Sequence, residues 1–272
     1  MSVRNTNPPQ LAASSYLNTA PLIWSFKEGS QREAARLITD AAPARCADML
    51  AGGDVEAALV PVIEYQRIPD ACIVPGVCVG SHKAVRSVVL VSKVDDLRDV
   101  RKVVLDLSSR TSQALVKIIF KEFLNCEPEW QVGSPDIRAM LKEHDAALLI
   151  GDPAMKLAPE DGRVFDLASL WHRYTNTGFV FAMWMVRQGN AEAVSRVNFA
   201  AARDEGLEQL ERVISNYEDK VPLSRDQLRT YLTDNITFHL DESLEEGMRL
   251  YFKLADKHGL INEVKSPKFI SG

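Results

Sequence analysis

Apolar residues fall in short, dense runs separated by polar turns, and few runs in the first two thirds of the chain are long enough for a helix. Residues 11–16 read as a strand, followed at 19–26 by a connection into a helix with Pro21 in its first turn. The run 34–38 fits a strand or a helix end, because so short a stretch does not separate the two periodicities. Residues 43–50 read as a helix stopped by Gly52 and Gly53, and 55–61 as a buried strand closed by Pro61. Strands at 73–79 and 85–92 follow, the second rich in valine, as a strand covered on both faces should be.

Beyond Lys93 the order of elements begins again. A capped turn at 94–97, a strand at 102–107 and a polar loop at 108–112 lead into a helix at 113–124. That helix carries Leu115, Ile118, Ile119 and Phe123 on its apolar stripe. Strands at 146–150 and 163–167, a helix or turn at 169–174 and an apolar, aromatic strand at 179–186 come next. From Ala191 the pattern is helical nearly to the end. The last helix, at 244–258, sets Leu244, Met248, Tyr251, Phe252 and Ala255 on one face, and Gly259 stops it. Residues 1–10 read as a loose tail. The repeated order predicts an α/β protein of two lobes joined by two crossing strands: residues 1–92 with 180–272, and residues 93–179. Ligands in such sheets lie beyond the carboxyl ends of the strands, so the segments just after strands are the candidate site.

A length of 272 residues suits two such lobes and buries enough surface to fold without disulfides or a structural metal. A net charge of −5 gives no support for nucleic acid or an anionic membrane as partner. No run approaches the roughly 18 apolar residues of a spanning helix. Residues 1–13 lack the apolar core of a signal peptide, so the expectation is a soluble, cytoplasmic protein. Cys46, Cys72, Cys78 and Cys126 form no C-x-x-C pair and read as buried, reduced thiols. His82, His144, His172, His239 and His258 make no metal-binding spacing, and no G-x-S-x-G elbow is present. No metal is expected. His172, between Trp171 and Tyr174, reads as a partly exposed loop residue rather than a base.

Four segments remain as candidates for chemistry. At 15–22, Asn18 offers amide donors and an acceptor beyond the first strand, or Asn18 and Thr19 only satisfy the turn. At 106–112, Ser109, Thr111 and Ser112 crowd a helix N-terminus, whose dipole favours a carboxylate; capping alone is the other reading. At 148–154, Gly151 allows close approach to the backbone, and Asp152 either caps a helix or meets a ligand hydroxyl. At 85–88, Ser87 interrupts a valine strand, a weak signal by itself.

Taken together, SYLNTAPL (15–22), VRSV (85–88), LDLSSRTSQAL (105–115), IGDPA (150–154) and DLASLWHRYTNTGFVFAMW (166–184) resemble the chorismate dehydratases of the futalosine route to menaquinone. The resemblance implies a two-lobed fold like the periplasmic binding proteins of type II, with the ligand between the lobes. It also implies dehydration of chorismate to 3-[(1-carboxyvinyl)oxy]benzoate, with Asn18 as the key residue and Ser87 and residues 109–112 as substrate contacts. One departure stands out: where the family often has Thr-Gly-x-Pro-Phe, this chain has Thr175, Asn176, Thr177, Gly178 and Phe179. Aromatisation drives such a reaction, so no cofactor is required. With no histidine placed as base, the substrate's own enolpyruvyl carboxylate is the candidate, held in place by Asn18. A non-catalytic carboxylate-binding protein and a later lyase of the same route are the rival readings. The helical C-terminus could support a homodimer, or pack on its own lobe.

Overall fold

Short buried runs become strands. In the computed structural model, which describes residues 7–270, they are β1 (Gln10–Ser14), β2 (Arg36–Asp40), β3 (Ala57–Pro61), β4 (Ala71–Ser81), β5 (Val88–Ser92), β6 (Lys102–Asp106), β7 (Glu129–Gly133), β8 (Ala146–Ile150), β9 (Arg163–Asp166) and β10 (Phe179–Arg187). Two five-stranded sheets result, ordered β2-β1-β3-β10-β4 and β7-β6-β8-β5-β9. In the first, β1 runs parallel to β2 and β3, while β10 lies antiparallel between β3 and β4. In the second, β6 runs parallel to β7 and β8, and β5 antiparallel to β8 and β9. The strands β3, β5 and β8 are buried at every position, which explains their near-continuous apolar composition.

Several elements differ from the sequence expectation. The valine strand begins at Val88, not Val85, and pairs in the second sheet, so the chain crosses between Ser81 and Val88, ahead of the expected break after Ser92. The ambiguous run at 34–38 overlaps β2, an edge strand. The edge strand of the second sheet, β7, has no counterpart in the sequence expectation; its positions are exposed or half-buried, so no apolar alternation marks it. The helix expected at 113–124 starts earlier, as Arg110–Ile118, then widens into a π-helical turn over Ile119–Leu124. The C-terminal third is less helical than expected, being interrupted by turns before Phe199, after Ser215 and after Asn235; beyond Gly259 the chain returns to β4, where Ile73 N–H donates to Lys268 O at 2.8 Å. Residues 1–6 of the expected tail lie outside the described residues.

Aromatic packing joins the first sheet to its helices. Trp184 of β10 lies 5.1 Å from Phe199 and 6.0 Å from Phe26, between rings. Here helices Ala20–Glu28 and Phe199–Glu208 touch backbone to backbone, since a Cβ on Gly206 would lie 1.9 Å from Pro21 O. The Thr175–Phe179 turn has a similar explanation. Asn176 takes the left-handed cap position (φ 58°), which asparagine tolerates, and Gly178 lies so close to helix Glu242–Lys257 that a Cβ on Gly247 would meet Gly178 O at 1.9 Å. Cys46, Cys72 and Cys78 are buried free thiols and Cys126 is half-buried; burial pushes the Cys46 thiol up to about 12. Among the described residues, no helix is long and apolar enough to cross a membrane.

Candidate functional site

The carboxyl ends of β1 and β3 in one sheet meet those of β6 and β8 in the other. Three contacts define the seam. Leu17 N–H, after β1, donates to Asp152 Oδ1 at 3.0 Å. Ile63 N–H, after β3, donates to Thr111 Oγ1 at 3.2 Å. The Tyr16 ring lies on Gly151, whose φ is +63° and whose absent Cβ would come within 2.6 Å of that ring. At one side, the Arg110 guanidinium reaches Glu64 at 3.0 Å and Asp48 at 2.6 Å, both across from its own sheet.

Each candidate residue can now be placed. The Thr19 hydroxyl donates to the Ser14 and Tyr16 carbonyls, so the turn-satisfying role belongs to Thr19. Asn18 does not share it: its Oδ1 is sealed from solvent with no hydrogen-bond partner among the described residues. An orphaned buried amide oxygen is uncommon in native structures and calls for an explanation. Ser109 is an N-cap, accepting from Ser112 N at 3.2 Å, as the capping reading expected. Asp152 is not a cap. The short helix Gly151–Ala154 has no side-chain cap, and the Asp152 carboxylate instead bridges to Leu17.

Ser87 departs most from its expected environment. It is fully buried, and it precedes β5 instead of interrupting it. Its N–H donates to Val85 O at 2.7 Å, closing a three-residue turn around Arg86, whose φ is +62°. This is the rarer, strained hand of such a turn. Asp166 holds it, accepting from Arg86 N at 2.6 Å and from Ser169 N, the latter as a helix cap. Ser87 O accepts from Gly151 N at 2.7 Å, and Ser87 Oγ accepts from Tyr231 at 2.7 Å. Strain maintained by surrounding bonds is a feature of functional sites. Ser87, Gly151 and Asp152 are thus linked through one seam, which Asn18 borders through its neighbours Tyr16 and Leu17, and the Ser109–Ser112 helix start joins it through Thr111.

Three groups were missed in the sequence. Tyr16, beside Asn18, has its phenol pKa raised, first by burial, and lies next to Ser108 and near Asp106 and Asp152. Asp106, at the end of β6, is fully buried and accepts from Ser108 N, Ser108 Oγ and Ile150 N. Tyr231 gives no sequence signal, because a tyrosine in a helical pattern reads as core. His172 sits in the helix Leu167–Thr175, not a loop, with Nδ1 3.3 Å from Thr177 O.

Burial dominates the two acids. It pushes Asp106 above 3.8, against its three hydrogen bonds, and pushes Asp152 up against the Leu17 N–H, Lys156 and Lys220. A folded-state pKa above the unfolded one means the native protein binds the extra proton between the two values. Stability from Asp106 is therefore present at low pH and falls as pH rises through that window. The expected result is that the stability of wild type relative to Asp106→Asn decreases as pH climbs from about 3.8, measured by denaturant unfolding at several pH values. A difference that grew with pH would contradict this assignment.

Two sheets that meet through polar loops at their strand ends are the architecture of the periplasmic binding proteins. Solved structures agree on the fold: AF1704 from Archaeoglobus fulgidus is similar with a TM-score of 0.69 at 16% identity, covering 95% of this chain and 100% of that one. The Candida albicans CA3427 product, which has the generic periplasmic binding protein fold, is similar at 0.65 and 13% identity, covering 95% and 92%. The aliphatic sulphonate binding protein SsuA of Escherichia coli is similar at 0.62 and 17% identity, covering 98% and 95%. The chain belongs to the menaquinone biosynthesis family, which it matches over residues 9–257. It is 30% identical over 263 residues to the chorismate dehydratase of Thermus thermophilus, across 90% of this chain and 94% of that protein.

Proposed function

We propose that this protein is a cytoplasmic hydro-lyase that dehydrates chorismate to 3-[(1-carboxyvinyl)oxy]benzoate in the futalosine route to menaquinone. The observation that carries the reading is Asn18 Oδ1, sealed from solvent next to the seam residue Leu17 and without a partner among the described residues. Such a group can accept from the ring hydroxyl of the substrate and donate to one of its carboxylates. The start of helix Arg110–Ile118, with Ser109, Thr111 and Ser112, supplies N–H groups and a dipole suited to the ring carboxylate. Gly151 and Asp152 close the seam against Tyr16 and Leu17, excluding water from the reacting carbons. One wall of the cleft comprises the sheet strands before Val88 together with β10, the other the strands from β5 to β9.

The reaction removes the ring proton at the carbon bearing the enolpyruvyl ether and expels the neighbouring hydroxyl, leaving an aromatic ring and water. That proton is vinylogous to the ring carboxylate, so charge spreads toward the helix N-terminus as the bond breaks. A single well-placed donor there contributes ~3 kcal/mol to the transition state. The enolpyruvyl carboxylate of the substrate takes the proton, while Asn18 and Ser87 hold the geometry. Loss of the chorismate diene absorption, replaced by that of an aromatic product, tests the function directly. Binding without spectral change would make the chain a carrier. An analogue lacking the enolpyruvyl carboxylate should react slower by about 10²–10⁴-fold, the usual contribution of a positioned base. Normal turnover of that analogue would assign the base to the protein.

A further inference from the structure

Three tyrosines of the C-terminal third each send a hydroxyl into a different part of the seam. Tyr217 donates to Ser15 O at 2.8 Å, and Tyr251 to Thr111 O at 2.9 Å. Both hold backbone carbonyls. Tyr231 alone of the three holds a side chain, donating to Ser87 Oγ at 2.7 Å. A serine hydroxyl has one proton and two lone pairs. When the phenol occupies one lone pair, the serine proton is excluded from that side and confined to the two remaining positions, both pointing away from the phenol.

The rest of the local structure immobilises both partners. Ser87 is fixed through its backbone by Val85 and Gly151, with the strained Arg86 between. Tyr231 opens the π-helical turn Tyr231–Asn235, a distortion that occurs mostly at functional sites. From the end of that turn, Asn235 Nδ2 donates to Ala84 O at 3.1 Å, and Thr237 exchanges two backbone bonds of 2.9 Å with Gly80. The phenol and the turn that bears Ser87 are therefore held as one unit. Burial raises the phenol pKa, so it remains a donor through the neutral range.

We propose that Tyr231 is a positioning residue that aims the Ser87 hydroxyl at the substrate. The inference rests on the reading that Ser87 touches chorismate. The test is a double-mutant cycle read in kcat and KM. Tyr231→Phe should lower kcat about tenfold, within the range of coupled neighbours, and leave KM nearly unchanged. In a Ser87→Ala background the same substitution should cost nothing further. Tyr251→Phe deletes the same atom from an equally buried ring, and its effect should be equal in both backgrounds. Incorporation of 4-aminophenylalanine at position 231 keeps shape and donor, and should restore kcat to within about threefold of wild type. A Tyr231→Phe loss that persists in the Ser87→Ala protein, or no loss at all, would overturn the proposal. So would a failed rescue by 4-aminophenylalanine with wild-type melting, which also decides the matter should the Phe variant not fold. A wild-type protein inert toward chorismate would instead sink the functional reading, and this inference with it.

Discussion

Replacing Asn18 with alanine should lower kcat on chorismate by about 10²–10³-fold, the usual cost of removing one pre-positioned polar group from a transition state. Melting should barely change, because the side chain forms no hydrogen bond in the described structure and its Oδ1 has no partner to lose. Deleting an unsatisfied buried group is close to neutral for stability, whereas deleting a satisfied one is costly. Asn18→Asp should be worse than alanine in KM. It exchanges two donors for an acceptor-only group, two residues from Tyr16, whose phenol lies near two acids, Asp106 and Asp152, already raised by burial. Steady-state kinetics with a melting curve for each variant checks both statements. A variant that loses stability as much as rate would assign Asn18 to the turn.

Gly151→Ala should reduce both stability and activity. Its backbone lies at φ +63°, where a side chain costs ~1–3 kcal/mol. The new Cβ would also fall 2.6, 2.7 and 2.9 Å from three atoms of the Tyr16 ring, including the one nearest the backbone. The ring cannot simply swing its tip away; the whole side chain must move. At ~2–4 °C per kcal/mol for a chain of this class, melting should fall by roughly 2–10 °C. Activity should fall more than stability explains, since Gly151 N also holds Ser87 and its neighbour Asp152 holds Leu17. Differential scanning calorimetry beside kcat/KM would show it. Wild-type values in both would mean the two strand ends do not need to approach this closely.

What the chain reveals of this arrangement depends on whether a signal is local. The strands β3, β8 and β10 are legible because burial on both faces writes an unbroken apolar run. The edge strands β2 and β7 are not, because their exposed positions are free to be polar. Three of the four candidate segments stand out for a similar reason, because they follow strands, whereas Ser87 stands out only as a serine in a valine run. Their individual roles were less accessible. Ser109 as a cap follows from its position before a helix, but Asp152, also just beyond a strand, spends its carboxylate on Leu17 in the turn after β1 of the other sheet. No local pattern distinguishes the two. Tyr251 reads as part of an apolar helix face, and Tyr217 and Tyr231 carry no signal of their own; where each hydroxyl ends depends on residues more than a hundred positions away.

The late position of β10, inserted between β3 and β4, has a consequence for synthesis on the ribosome. Every segment proposed to touch substrate has been translated once Asp152 is made. None can be locked in place then, because the first sheet lacks an inner strand and the three tyrosines that clamp the loops have not emerged. At ~5–20 residues per second β10, which ends at Arg187, follows within a few seconds. For that interval an emerging chain exposes the flanks of β3 and β4 to any strand that could substitute for β10, making this the stretch of its biogenesis most dependent on chaperones.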